Sequence, residues 1–261
     1  MTTEDIIVHL FCLVDDRLGA QHKEPLAKLY PSEVVTIGIL FALKGVSFRA
    51  FERWLRRDWN ALFGGLPERT RLLRLLRQYE HLTDALLGDP SLLCVADTLP
   101  IELLFPIRQG RSRQPLGTKG RDKGRWSVGV KWACVVNTFG DVCAWSWDGL
   151  HTYDGHFLAL LETLQDESVV LADLGFRVRD HASPNVKLCP KGHWNERMTI
   201  ETVFSMLTVV CHAKRMFHRA AHHLQAHLAY LAAAFNLCVA LYHELHPDAH
   251  LCKLSIKDFC L

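Results

Sequence analysis

Three acidic residues in three different settings are the side chains of this chain best suited to chemistry. Asp97 closes the apolar run Leu-Leu-Cys-Val-Ala-Asp at 92–97, and Asp173 closes Ser-Val-Val-Leu-Ala-Asp at 168–173. Glu201 lies inside Asn-Glu-Arg-Met-Thr-Ile-Glu-Thr-Val-Phe-Ser-Met-Leu at 195–207, a stretch of helical character. A carboxylate at the end of a buried strand loses hydration and needs compensation. Two strand ends and one helix that meet at one point can hold divalent cations, because carboxylate oxygens suit Mg²⁺ and Mn²⁺. Such an arrangement supports two-metal phosphodiester chemistry. Each carboxylate alone also has a plain structural reading. Strands commonly end in a turn aspartate, and Arg197, four residues before Glu201, is placed for a surface ion pair with it. Against that, Ile200, Val203, Phe204 and Leu207 mark an apolar face that Glu201 borders.

The rest of the chain must supply elements that carry these residues. Its 261 residues are 49% hydrophobic, enough for a sizeable core and too apolar for a disordered protein. Net charge is only +2, so local patches matter more than the sum. The nine cysteines are odd in number and form no Cys-x-x-Cys pair, which reads as buried reduced thiols in a cytoplasmic protein. The acidic start Met-Thr-Thr-Glu-Asp lacks a signal-peptide pattern. The richest apolar stretch, 224–242, contains Gln225, His227 and Asn236 and reads as a core helix, so no membrane partner is expected.

Residues 1–88 read as an all-helical, arginine-rich, DNA-binding region. Helices are expected over 3–18, from Pro31-Ser32-Glu33 with Ser32 as cap to about Lys44, over 47–59 and over 68–87. Gly45-Val46-Ser47 suits the turn of a helix-turn-helix element, with Arg49, Arg53, Arg56 and Arg57 beyond it. Asp89-Pro90 is a break, and 89–261 forms the second domain. There the strand candidates are 91–97, 127–136, 141–147, 168–173 and 185–189, with Asn-Thr-Phe-Gly-Asp at 137–141 a hairpin turn. Helices are expected over 154–164, 196–215 and 219–245. The fold class is therefore α/β, a mixed sheet flanked by helices after a helical N-terminal region.

The triad resembles that of DDE-type insertion-sequence transposases with a ribonuclease H-like core. Most specific is Trp194-Asn-Glu-Arg197-Met-Thr-Ile-Glu201, similar to the family signature of an aromatic residue, arginine and the catalytic glutamate. The family carries tyrosine where this chain has Trp194, and a lysine where it has Thr208. Asp173-Leu-Gly-Phe176 and the helix from His223 to Leu241 are also similar. The resemblance covers about 90–245. It implies a ribonuclease H-like sheet in which Asp97, Asp173 and Glu201 hold two Mg²⁺ (or Mn²⁺) ions. Arg197 would contact a phosphate or orient Glu201. Trp194 itself reads either as a stacking surface for an unpaired or flipped base or as a core side chain. The resemblance implies binding of terminal inverted repeats and target DNA by a homodimer in a synaptic complex, with strand cleavage and strand transfer. A nuclease without strand transfer and an inactive DNA-binding derivative are the alternatives.

Residues 108–131 carry Arg108, Arg111, Arg113, Lys119, Arg121, Lys123, Arg125 and Lys131 against one acid, Asp122. With glycines at 110, 117, 120 and 124 this reads as a flexible loop that contacts the DNA backbone. Fifteen histidines invite a zinc reading, but Cys189-x3-His193 and His218-x3-His222 lack a second pair to complete a tetrahedral set. They read as solvated or core histidines.

Overall fold

The computed structural model describes residues 1–108, 116–122, 124–179, 181, 183–190, 198–247, 254–259 and 261. They group into two compact units. Unit 1 is Met1–Leu86 with Val209–Asp248 and Ser255–Leu261; unit 2 is Leu87–Thr208 with Ala249–Leu254.

Unit 1 is helical. α1 (Thr3–Leu18) begins with a capping box: Thr2 Oγ1 accepts from Asp5 N at 3.2 Å, and Thr2 N donates to Asp5 Oδ2 at 2.8 Å. α2 (Pro31–Lys44) has Pro31 as its first residue. Its cap is not Ser32, which is buried; Glu33 Oε2 instead accepts from Tyr30 N at 2.6 Å. Gly45, in the left-handed region at φ +59°, ends α2. α3 (Phe48–Asp58) then leaves at 117° to it. α4 (Arg69–Gln78) is shorter than expected, and a 3-10 turn over Glu80–Leu86 follows it. The chain returns to this unit as α7 (Ala221–Leu245), whose residues from Ala226 to Val239 are all buried. By length and composition α7 could cross a membrane. It packs against α2 so closely that a Cβ on Gly38 would lie 2.3 Å from the Tyr230 ring. The Tyr230 hydroxyl donates to Leu76 O at 2.8 Å, and Asn236 Nδ2 donates to Leu86 O at 3.2 Å.

Unit 2 is a six-stranded mixed sheet with β1 (Leu93–Leu104), β2 (Thr118–Asp122), β3 (Arg125–Val136), β4 (Val142–Gly149), β5 (Val169–Ala172) and β6 (Val186–Leu188). The order is β2-β3-β1-β5-β6, with β4 also paired to β3. β3 pairs antiparallel with β1, β2 and β4, while β1–β5 and β5–β6 are parallel. The expected mixed sheet with flanking helices is present. The hairpin turn is built by Asn137, whose Oδ1 accepts from Phe139 N and Asp141 N, both at 2.9 Å.

Four expectations need correction. β1 continues to Leu104, so Asp97 does not end a strand. β2 occupies part of the stretch read as a loop. Its sequence, Thr-Lys-Gly-Arg-Asp, has no apolar face for periodicity to reveal, and backbone pairing to β3 holds it. The expected helix over 154–164 is a 3-10 turn, Asp154–Phe157, running into the short α5 (Leu158–Glu162). α6 (Met198–Val209) ends before His212, which has φ +55°. One face of the sheet (Cys94, Ala96, Ala133, Val135, Val170 and Ala172) packs under Phe157, Leu161 and Phe176. Small residues in the strands make room for those large ones. Among the described cysteines Cys12 is exposed, and Cys94, Cys134, Cys143, Cys189, Cys211 and Cys238 are buried.

Unit 1 also buries histidines. The His218 and His227 rings lie 4.8 Å apart, and Phe41 of α2 meets them edge-on at 6.0 and 4.9 Å. Burial, aided by the neighbouring His223, pushes His218 down to about 4. Burial, aided by His218, holds His227 well below its ordinary value. His223, itself depressed by burial, also faces His222 and Arg77. The unfolded chain takes up these protons near the ordinary 6.5, before the folded unit does. Stability therefore falls as pH drops from 6.5 towards 4. The urea midpoint is expected to be lower at about pH 5 than at about pH 7.5, and His218→Gln should flatten the difference. Equal midpoints in the wild type would remove these histidines from the balance.

Candidate functional site

Asp97 sits in the middle of β1, opposite Cys134 of β3. Side chains alternate along a strand. Asp97 therefore projects with Val95 and Leu99, away from the face where Ala96 packs under Phe157. The Cys134 thiol is pushed well up by burial and then by the charge of Asp97, which agrees with both lying on one face. Asp97 is half-buried, and its Oδ1 accepts from Thr98 N at 2.7 Å.

β5 delivers the second carboxylate. Val95 is level with Leu171 in the parallel β1–β5 ladder. Asp173 keeps an extended backbone (φ −79°, ψ 174°). Continued by two residues, the register therefore sets Asp97 level with Asp173, one strand spacing away at about 4.8 Å. Asp173 then caps the 3-10 turn Leu174–Phe176, its Oδ1 accepting from Gly175 N at 2.8 Å.

Glu201 lies in the first turn of α6 and is exposed, while Ile200, Val203 and Leu207 on the same helix are buried. Among the described residues no three of His, Cys, Asp and Glu gather closely enough to hold a metal ion. The β1–β5 ladder itself is paired as far as Val95 and Leu171; only its continuation by two residues sets Asp97 and Asp173 at neighbouring positions. Arg197 and Trp194 lie outside the described residues.

Sequence reasoning did not single out Asp154. Its Oδ1 accepts from Lys131 Nζ and from Thr98 Oγ1, both at 2.9 Å. A Cβ on Gly175 would lie 2.6 Å from Asp154 Oδ2 and 2.8 Å from Asp173 Oδ1, so both carboxylates flank the same turn. Asp154 thereby joins β1 beside Asp97, β3 at Lys131 and the turn that Asp173 caps. One signal was visible in the sequence: Lys131 is the lone charge in the apolar run Val-Gly-Val-Lys-Trp-Ala-Cys-Val-Val, and a buried lysine needs a partner.

Of the basic residues expected to meet DNA, Arg111, Arg113 and Lys123 lie outside the described residues, and of Arg108 only the backbone is described. Lys119, Arg121 and Arg125 are exposed on the β2–β3 hairpin. Arg125 is paired with Glu102 at 2.6 Å. In unit 1, Arg49, Arg53, Arg56 and Arg57 are all exposed on α3. Arg56 is tied to Glu52 and to Pro67 O, and Arg57 to Asp58. The 117° bend and three-residue turn between α2 and α3 match helix-turn-helix geometry.

Lys131→Met would leave Asp154 largely buried without its cation. A stability loss of about 1–3 kcal/mol is expected, and adding Asp154→Asn should recover part of it. Urea unfolding of the single and double variants measures the coupling; strictly additive losses would show that the pair is not coupled.

No protein-family model matches the chain, and no curated protein matches it.

Proposed function

We propose that the protein is a DDE-type DNA transposase and that unit 2 is its ribonuclease H-like catalytic fold. The observation that carries this reading is the parallel β1–β5 register, with Val95 level with Leu171, whose continuation by two residues would set Asp97 level with Asp173. The sheet order supports it: an antiparallel group of β4, β3 and β1 continues into parallel β5 and β6. Asp97 and Asp173 would hold Mg²⁺ or Mn²⁺, and Glu201 is the expected further ligand of a two-ion set. When bound, such cations supply Lewis-acid activation of a water or a DNA 3′-hydroxyl and stabilise the leaving oxygen. The chain's own part is positioning. Two half-buried carboxylates are fixed by strand pairing, and Asp154 ties the two backbones that carry them. The exposed cations of the β2–β3 hairpin and of α3 would bind phosphates. The partners would be terminal inverted repeats and target DNA, handled by a homodimer.

One observation favours a second reading. Glu201 is exposed and Thr208 stands where the family carries lysine, as expected of a derivative that binds DNA without cutting it.

The test is cleavage of a labelled duplex carrying the DNA termini that flank this gene, with Mg²⁺ or Mn²⁺. Asp97→Asn, Asp173→Asn and Glu201→Gln should each slow nicking on the order of 100-fold or more. Strand-transfer products would separate a transposase from a simple nuclease. Three variants as active as wild type would refute the triad; binding without nicks in the wild type would favour the second reading.

A further inference from the structure

We infer that the β2–β3 hairpin is a stacking platform for unpaired nucleotides, with Trp126 as the platform and Lys119 and Arg121 as its phosphate contacts. The inference rests on the nucleic-acid reading of the protein but not on its chemistry.

Trp126 is 55% exposed, although indole is among the side chains most strongly driven to burial. The ladder places it opposite Arg121, and Lys119 stands opposite Val128 on the same face. Lys119 Nζ lies over one face of the Trp126 ring, 5.0 Å from its centre, so a base would stack on the other face or displace the lysine towards a phosphate. Arg121 is held in place as its Nε donates to Gly124 O at 3.2 Å.

The two faces of this part of the sheet differ in how their charges are satisfied. Arg125 and Lys131, which point the other way along β3, are paired with Glu102 and Asp154. Among the described residues neither Lys119 nor Arg121 forms a salt bridge. One face therefore neutralises its cations, and the other presents two of them beside an exposed indole.

That chemistry fits one class of ligand. Cations meet phosphates, and an indole face accepts a base by stacking. In a duplex the base faces are already stacked on one another, so only unpaired nucleotides can use Trp126. The location agrees. Trp126 and Cys134 share a face of β3, and Cys134 is the residue opposite Asp97. The eight residue steps from one to the other span about 26 Å. The platform would hold a strand running on from the reacting phosphodiester.

The test uses the full chain with EDTA, so that no cleavage can occur. Fluorescence anisotropy compares a labelled single-stranded oligonucleotide with the same sequence as blunt duplex. Trp126→Ala is expected to weaken single-strand binding about ten-fold and duplex binding less than about two-fold. Trp126→Phe should keep most of the affinity, which guards against a misfolded Trp126→Ala protein. Lys119→Gln should lower the salt dependence of binding. Photocrosslinking to a 5-iodouracil oligonucleotide should label the peptide that contains Trp126. Equal single-strand affinity in wild type and Trp126→Ala, or no single-strand affinity in the wild type, overturns the inference. A wild type that binds single strands through Trp126 yet never cleaves would keep this inference and remove the transposase reading. Cleavage unaffected by Trp126→Ala, with unchanged binding, would do the reverse.

Discussion

Parallel pairing of β5 to β1 is the constraint on which the arrangement of unit 2 depends. β5 has only four residues, Val-Val-Leu-Ala, and three of them are buried. It lies between β1 and β6, so its register is set by apolar packing as well as by hydrogen bonds. A slip of one residue would turn every β5 side chain to the opposite face. It would also move Asp173 out of level with Asp97. The apolar fit of a four-residue strand thus determines where a carboxylate stands, because the backbone leaves Ala172 still extended and turns only after Asp173. The turn itself depends on Gly175, whose α-carbon is hemmed in by the Asp154 and Asp173 carboxylates.

Charge in this unit is sorted by the alternation of side chains along β3. Its odd-numbered positions 125 and 131 find acids, and these pairs tie β3 to β1 and to the Asp154 turn. Even-numbered positions carry Trp132, which is fully buried, then Trp126, which is not. The same face is therefore core at its centre and surface at its end. A strand longer than the sheet that supports it produces this gradient without any change of pattern in its sequence.

How much of this could be read from the residues varies from element to element. α1, α2 and the Asn137 hairpin were legible because apolar periodicity, the Pro31 and Gly45 signals and turn chemistry agree there. The extent of β1 was not, since Thr98-Leu99-Pro100 resembles a strand ending. β1 continues because β3 offers partners as far as Val128, with an irregularity near Glu102 that absorbs the mismatch. β2 was missed because a polar strand carries its information in its partner. Asp97 and Asp173 were both singled out in the sequence, but their relative placement is a property of register between distant segments, which no local pattern encodes. Asp154 stayed unnoticed because its role comes from three elements that meet only in the folded chain.

Unit 1 is assembled from both ends of the chain, with α7 packed along α2 and the Tyr230 hydroxyl anchored to α4. During synthesis the first helices leave the ribosome long before α7 exists. α2 is buried along almost its whole length, so it must wait with its apolar surface uncovered while the sheet of unit 2 is made. The later part of the gene therefore completes the earlier one. A message truncated before α7 would yield a sheet flanked by helices without their core, a product for chaperones and proteases to clear.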